Sequence, residues 1–486
     1  MSRLSTSQSH SSHLAPWIGL GLILIVGVLQ IATFADLRID DGYITYRIAE
    51  NWLAGHGPVF NPGERIQGST APAHLVLSMG VSALVGHDSL PHAMAVIGCL
   101  AWLAQSILVY FLLHPALGRW GALAVAAMLA IGAAQSYFWL SLETNLVTAL
   151  ALATLLAAHR GRWTLAAACA AAAGTARPDA FLLTILLAIP CLLATRREVW
   201  KPGLAWSIIA LPWPIFATLY YGSPLPNTAT AKLADTDLAS YLGVLARLPS
   251  DRLLPLFDAW ALPATYLLAL VGTAVLVHRD RRLWPLPAWI LLHATAYAIL
   301  RPPLRHTWHL YPWIAGVGIL LTAAVAAFLT IGPRWRRVVA IVVFALLAHG
   351  WWRQTLDNAT HYPRQTFVGA RDQAYRDVVR FLDAHAEPDD ILAAREIGAL
   401  GFWSGLPIHD MIGLVSADRD FPWKKAGFRW LLVRGQMAQE VKKDPRLIRR
   451  YAIRREEFIA VLFERVDFSE ADAAPAVTDQ PSAATP

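Results

Sequence analysis

Two adjacent carboxylates, Asp40 and Asp41, open the stretch DDGYITYRIAENWLAGHGPVFNPGERIQG, residues 40–68. They follow the apolar segment 17–35, so the chain delivers both to a membrane edge. A carboxylate held at headgroup depth suits one chemistry well. A sugar linked to a lipid phosphate presents its anomeric carbon there, and its phosphate leaves readily without a general acid. Transfer then needs a base for the acceptor hydroxyl and cations to balance the departing phosphate. Asp40 or Asp41 supplies the base. Arg177, Lys232, Arg305 and His306 lie in loops expected on the same face and supply the positive charge. The competing structural reading is that the doublet marks the water boundary and caps a helix starting near Gly42.

Each of the other candidates also has a structural alternative. Arg177 in TARPDA can pair with Asp179 at a helix end, and Lys232 can be a solvated loop charge. Glu143 in SLET stands where an acid complements the start of a helix. His306 and His309 sit three apart and resemble metal ligands, but anchoring beside Trp308 and Tyr311 at the interface explains them better. Asp235 and Asp237 have the DxD form by which nucleotide-sugar enzymes hold a metal; a lone DxD is a weak signal, and nucleotide sugars are not expected on this face. Gly-rich phosphate loops, HExxH and CxxC pairs are absent from the sequence. No metal site is assigned, and a divalent metal requirement is left open.

These residues must be positioned by a membrane scaffold. Of 486 residues 56% are hydrophobic and 15% charged, against about 25% charged in soluble chains. The apolar residues fall in blocks near the ~20 needed to cross a bilayer as a helix. The expected spans are 17–35, 91–113, 120–134, 143–158, 163–176, 180–195, 203–221, 259–277, 284–300, 310–329 and 338–352. The connectors HRGR, TRREVWK, HRDRR and GPRWRR are short and basic and belong in the cytoplasm; the intervening loops are aromatic and Pro-rich. The block 71–85 breaks this alternation. As a helix it is roughly 22 Å long against a hydrocarbon core of about 30 Å, so it reads as juxtamembrane. The net charge of +7 fits basic loops at an anionic leaflet and carries no argument for nucleic acid. Cys99, Cys169 and Cys191 all lie in apolar segments and offer no disulfide framework.

The expected layout is a cytoplasmic tail (1–16), a transmembrane domain (17–352) with periplasmic loops 36–90 and 222–258, a periplasmic α/β domain (353–468) and a disordered tail (469–486). Ile44, Ile48 and Trp52 recur every four residues, which predicts an amphipathic helix lying along the interface. In the C-terminal part, 371–386 has helical periodicity, and DILAAR, FRWLLVRG and FIAVLFERV read as strands.

The first loop, with Asp40-Asp41-Gly42-Tyr43 and the run through Asn61 to Gly68, resembles that of GT-C membrane glycosyltransferases, nearest their bacterial arabinofuranosyltransferase branch. Ser141 to Thr144, Ala176 to Asp179, Tyr221 to Thr228 with Lys232, and Ile397 to Trp403 followed by His409 to Leu414 extend the likeness over most of the chain. The resemblance implies an α-helical polytopic GT-C fold of about 11 transmembrane helices plus juxtamembrane helices, with the small C-terminal α/β domain outside the cytoplasm. It implies an inverting transfer, with Asp40 first and Asp41 second as base. Donor phosphate and substrate contacts would come from Tyr43, Glu143, Arg177, Asp179, Asn227, Lys232, Arg305 and His306. Three positions depart from the pattern. Gly68-Ser69-Thr70 replaces a Gly-Tyr/Phe-Thr run, Glu396 stands where Asp is usual, and Asp179-Ala180 replaces Glu-Gly.

The function so implied is transfer of a sugar, arabinofuranose by resemblance, from a polyprenyl-phosphate donor to a cell-envelope glycan or surface protein. The lipid-linked donor, the acceptor and membrane lipids are the expected partners, with no further cofactor and no nucleic acid, in a bacterial inner membrane with the site on the periplasmic face. The alternatives are a hexose donor, a polyprenyl-linked sugar transporter or flippase, or a glycan-sensing scaffold. Transporters tend to show inverted repeats and mid-membrane charge; here the charges cluster at one face and no repeat is visible.

Overall fold

Each apolar segment expected to span the membrane carries helix in the computed structural model. It describes residues 17–25, 27–29, 38–132, 141–226, 237–254, 258–302, 307–330, 333–365, 369–416, 427–455 and 458–467. The two expected tails lie outside the described residues. Among the described residues seven helices are long and apolar enough to cross a bilayer: Leu90–Ile131, Pro178–Glu198, Trp200–Tyr221, Trp260–Arg279, Arg281–Leu300, Trp308–Leu329 and Arg334–Arg353. The first covers two expected segments, which Gly118 separates with a φ of 67°. Trp17–Leu29, Thr144–His159 and Trp163–Ala176 are shorter apolar helices, as is the juxtamembrane candidate Pro72–Val85. The chain is an integral membrane protein, mostly helical.

It gathers into two compact units. The first comprises Met1–Ala35, Ala95–Pro212 and Lys232–Thr360. Its centre is the helix Tyr311–Thr330, whose residues 311–327 are all buried. An all-round apolar helix belongs in an interior. A Cβ on Gly272 would lie 1.8 Å from the Leu320 carbonyl oxygen, so helix Asp258–Arg279 crosses it backbone to backbone. Outer helices instead show Ile185, Ile189, Leu193 and Ile208 to the surroundings, as lipid-facing surfaces do. Two connectors expected on the cytoplasmic side meet, with His159 and Asp280 2.7 Å apart.

The second unit comprises Asp36–Met94, Trp213–Ala231 and His361–Pro486. Its sheet runs in the order β2-β1-β3-β5-β4, with β1 Leu392–Ala394, β2 Ile408–Asp410, β3 Trp430–Arg434, β4 Leu447–Arg455 and β5 Phe458–Arg465. β1 pairs parallel with β2 and β3, while β5 pairs antiparallel with β3 and β4. The three expected strands are β1, β3 and β5. β2 was invisible because three residues carry no periodicity, and β4 because LIRRYAIRR is interrupted by two Arg pairs and broken by a register shift near Tyr451. The helix expected at 371–386 runs Gly369–His385.

The first loop folds with the C-terminal segment. The doublet helix is Asp40–Leu53, so both acids sit inside its first turn and do not precede a start at Gly42; an acid there complements the helix dipole. The face expected on the membrane interface is covered by protein. Ile44 and Ile48 are buried, and a Cβ on the neighbouring Gly68 would touch both Ile48 and Val415. Arg47 and Asn61 make the join. Arg47 donates to the carbonyls of Phe60 (2.7 Å), Gly401 (2.5 Å) and Leu406 (2.8 Å). Asn61 donates to the Ile408 carbonyl at 2.8 Å and accepts from its N–H at 3.1 Å, mimicking a strand at the edge of β2. Burial lowers the Arg47 pKa to about 10, which still leaves it charged at neutral pH. A charge can be buried there because carbonyl oxygens surround it.

Candidate functional site

Helix Gly398–Ser404 begins with N–H groups that no local side chain caps. Asp40 caps them from 358 residues away: one carboxylate oxygen accepts from Gly398 N at 3.0 Å, the other from Ala399 N at 2.9 Å. Only glycine fits at 398, because a Cβ would lie 1.8 Å from the Asp40 carbonyl oxygen. The cap and the doublet are therefore one feature. The expected cap of the doublet's own helix is not found, since that helix has Ile39 at its N-cap and no side chain capping it; Asp40 caps a distant helix instead.

Asp40 is 7% exposed. Burial pushes its carboxyl up to about 6; Arg371 opposes this, Glu396 and Asp41 add to it, and the Ala399 N–H opposes it. Neutral amides satisfy both oxygens, yet each oxygen keeps a second lone pair. The group can thus change protonation near neutral pH without losing a salt bridge. Asp41, half-buried, shares the same turn.

A ring of C-terminal side chains stands beside the doublet. Glu396 lies 3.3 Å from Arg371 and 2.8 Å from Arg434, and accepts a short hydrogen bond from the Tyr375 hydroxyl. Burial works against the Arg371 charge, but Glu396 and Asp40 outweigh it and hold its pKa above the ordinary value. Sequence reasoning missed Arg371, Tyr375 and Arg434. Glu396 stood out only as a departure from a motif.

Tyr43 is 1% exposed and packs T-shaped against Tyr46 and tilted against Phe402 and Trp403, with ring centroids 5.7, 5.5 and 6.0 Å away. Burial and the facing Asp372 carboxylate raise its hydroxyl above the usual range.

In the first unit a second polar cluster is buried among helix ends. Arg177 grips Asp179 with two parallel hydrogen bonds of 2.7 and 2.9 Å and donates to the His309 carbonyl at 3.2 Å. His293, which the sequence did not single out, lies 3.5 Å from Asp179 and 3.2 Å from that same carbonyl. Glu143 is buried at the N-cap of Thr144–His159 and acts electrostatically on Arg177. The sequence alternative for Arg177, a pair with Asp179, is the arrangement found. Asn227, Lys232, Arg305 and His306 lie outside the described residues. Asp237 accepts from Ala239 N (2.8 Å) and Ser240 N (3.0 Å) as a helix cap, which accounts for its place in the DxD. Among the described residues no three His, Cys, Asp or Glu side chains come together in a group fit for a metal.

Comparison with known proteins bears out the likeness read from the sequence. Residues 362–478 match a domain of unknown function, DUF8728. A terminal β-(1→2)-arabinofuranosyltransferase of Mycobacterium tuberculosis is 31% identical over 226 residues, 41% of this chain and 35% of that relative, so the match spans about a third of the relative's length. ArnT from Cupriavidus metallidurans bound to undecaprenyl phosphate superposes with a TM-score of 0.59 at 14% identity, covering 94% of this chain and 99% of ArnT. The archaeal oligosaccharyltransferase AglB of Archaeoglobus fulgidus, in complex with an inhibitory peptide and a dolichol-phosphate, gives 0.56 at 12% identity over 86% of this chain and 69% of AglB. At such identities these two structures establish the fold alone, which this chain shares with ArnT and AglB.

Proposed function

We propose that the chain is a membrane glycosyltransferase that moves a sugar, arabinofuranose in our reading, from a polyprenyl phosphate to a hydroxyl of a cell-envelope glycan or surface protein. The observation that carries the reading is the first-loop carboxylate Asp40, buried, held by two backbone N–H groups and raised to about 6. A fold shared with a protein bound to undecaprenyl phosphate supports the donor class, and the partial match to an arabinofuranosyltransferase favours the sugar.

In this mechanism the acceptor oxygen attacks the anomeric carbon from the side opposite the phosphate. Its proton passes to the Asp40 carboxylate, with Asp41 as the alternative base. The bond from the anomeric carbon to the phosphate oxygen breaks, its electron pair stays on the phosphate, and configuration inverts. Lys232, Arg305 and His306 are the proposed partners of the phosphate charge; Arg177 is committed to Asp179 and orders the bundle ends, with Asn227, Glu143 and Tyr43 shaping the donor site. The site faces the periplasm of a bacterial inner membrane, and the domain layout follows from that orientation.

The test is to incubate the purified protein in proteoliposomes with synthetic polyprenyl-phosphate pentoses and hexoses and a hydroxyl acceptor. Consumption of the arabinofuranosyl lipid supports the reading, and consumption of only a hexosyl lipid replaces the sugar. Movement of lipid-linked sugar across the bilayer without transfer removes the enzyme.

A further inference from the structure

The C-terminal segment supplies more than a lid for the first loop. Glu396 immediately precedes the Ile397 N-cap of the helix that Asp40 caps, so one turn of chain carries both the donors to Asp40 and an acid beside it. That acid is gripped from three sides: by Arg371 and Tyr375 of helix Gly369–His385, and by Arg434 at the end of β3. Such a clamp fixes the Arg371 guanidinium, itself largely buried, in one place against the doublet.

We propose that Glu396 is a positioning residue: by offsetting the charge of Arg371, with which it is paired, it sets the electrostatic field in which Asp40 takes up and gives back a proton. The proposal rests on the reading of Asp40 as the base. The groups facing Asp40 are Arg371 and Tyr375 from the long C-terminal helix, Glu396 and the Gly398 and Ala399 N–H groups from the turn, and Asp41 on its own helix. Two of them carry opposite charge and touch each other, so removing either must move Asp40 in opposite senses. Losing Glu396 leaves Arg371 unopposed and favours the carboxylate. Losing Arg371 leaves the acids unopposed and favours the acid.

The experiment titrates Asp40 in the full-length protein in detergent. Dicyclohexylcarbodiimide modifies protonated carboxyls, and peptide mass spectrometry reads the extent of labelling at Asp40 as pH is varied. Glu396→Gln is expected to lower the labelling midpoint by about one pH unit and Arg371→Gln to raise it by a similar amount. Glu396→Asp is expected to restore the wild-type midpoint. Shifts in the same direction, or shifts below about half a unit in variants that elute as folded protein, overturn the proposal. If Glu396→Gln does not fold, Arg434→Gln tests the same field from the other side, since it removes a cation from Glu396, leaves that acid's charge less balanced and is expected to raise the midpoint. The acid limb of the pH–rate profile should follow the labelling. A protein that titrates as expected but turns over no lipid-linked sugar refutes the glycosyl-transfer reading and leaves the positioning claim standing.

Discussion

Asp40 is buried and the side chain of Asp179 is only 8% exposed, and their surroundings divide their roles. Asp179 meets the two-pronged guanidinium of Arg177, an arrangement that gives it a structural duty. Asp40 meets two neutral backbone N–H groups, and its carboxyl is raised to about 6. The lesson concerns the kind of partner. A buried acid matched by a full opposite charge holds helices together. A buried acid satisfied by neutral dipoles can still take part in proton transfer.

The sharpest way to break this contrast is to neutralise each acid in turn. Asp40→Asn is expected to reduce sugar transfer by about 10²–10⁴-fold. It keeps one acceptor and turns an amide NH₂ toward a second N–H, a loss of roughly 1–3 kcal/mol. Removing the buried charge returns a similar amount, so the variant should fold. Normal glycan on Asp40→Asn, Asp41→Asn and the double variant would refute the mechanism. In wild type the rate should fall as pH drops through about 6, because the base must be ionised.

Next in size is Arg177→Met, which strands a buried carboxylate and should cost about 3–5 kcal/mol in unfolding or show as lost expression. The companion Arg177→Met/Asp179→Leu should recover most of that stability. If the double variant is as unstable as the single, the pair has a duty beyond mutual neutralisation.

A third effect is in stability against pH. The folded pKa of Asp40 lies above its unfolded value of 3.8, so the acid form is the one the fold favours. That contribution is present below pH 3.8 and lost as pH rises through about 6. It amounts to at most roughly 3 kcal/mol at about 1.4 kcal/mol per unit. Thermal unfolding from pH 4 to pH 7 should show a component in wild type that Asp40→Asn lacks. The smallest change is Gly398→Ala, whose methyl would collide with the Asp40 backbone. It should cost about 1–3 kcal/mol and weaken transfer by lifting the capped helix away. Unchanged transfer by a well-folded Gly398→Ala would separate the cap from the chemistry.

Much of this was legible in the chain alone. Long apolar runs have no soluble alternative, so the segments that became helices were set by composition, and the basic connectors were set apart by charge. The strands WLLVR and FIAVLFER announced themselves because buried strands need continuous apolar residues, whereas the three-residue IHD did not. The doublet was conspicuous because two acids after an apolar span demand a reason. The meaning of Asp40 was decided elsewhere. Residues Gly398 and Ala399, Arg371 and Glu396 lie more than 300 positions away along the chain, and no periodicity or local pattern links them to it. Burial and electrostatics depend on distance in space, which the order of residues does not encode locally. The sequence by itself could supply the acid; only the folding of the first loop against the C-terminal segment made that acid a weak one.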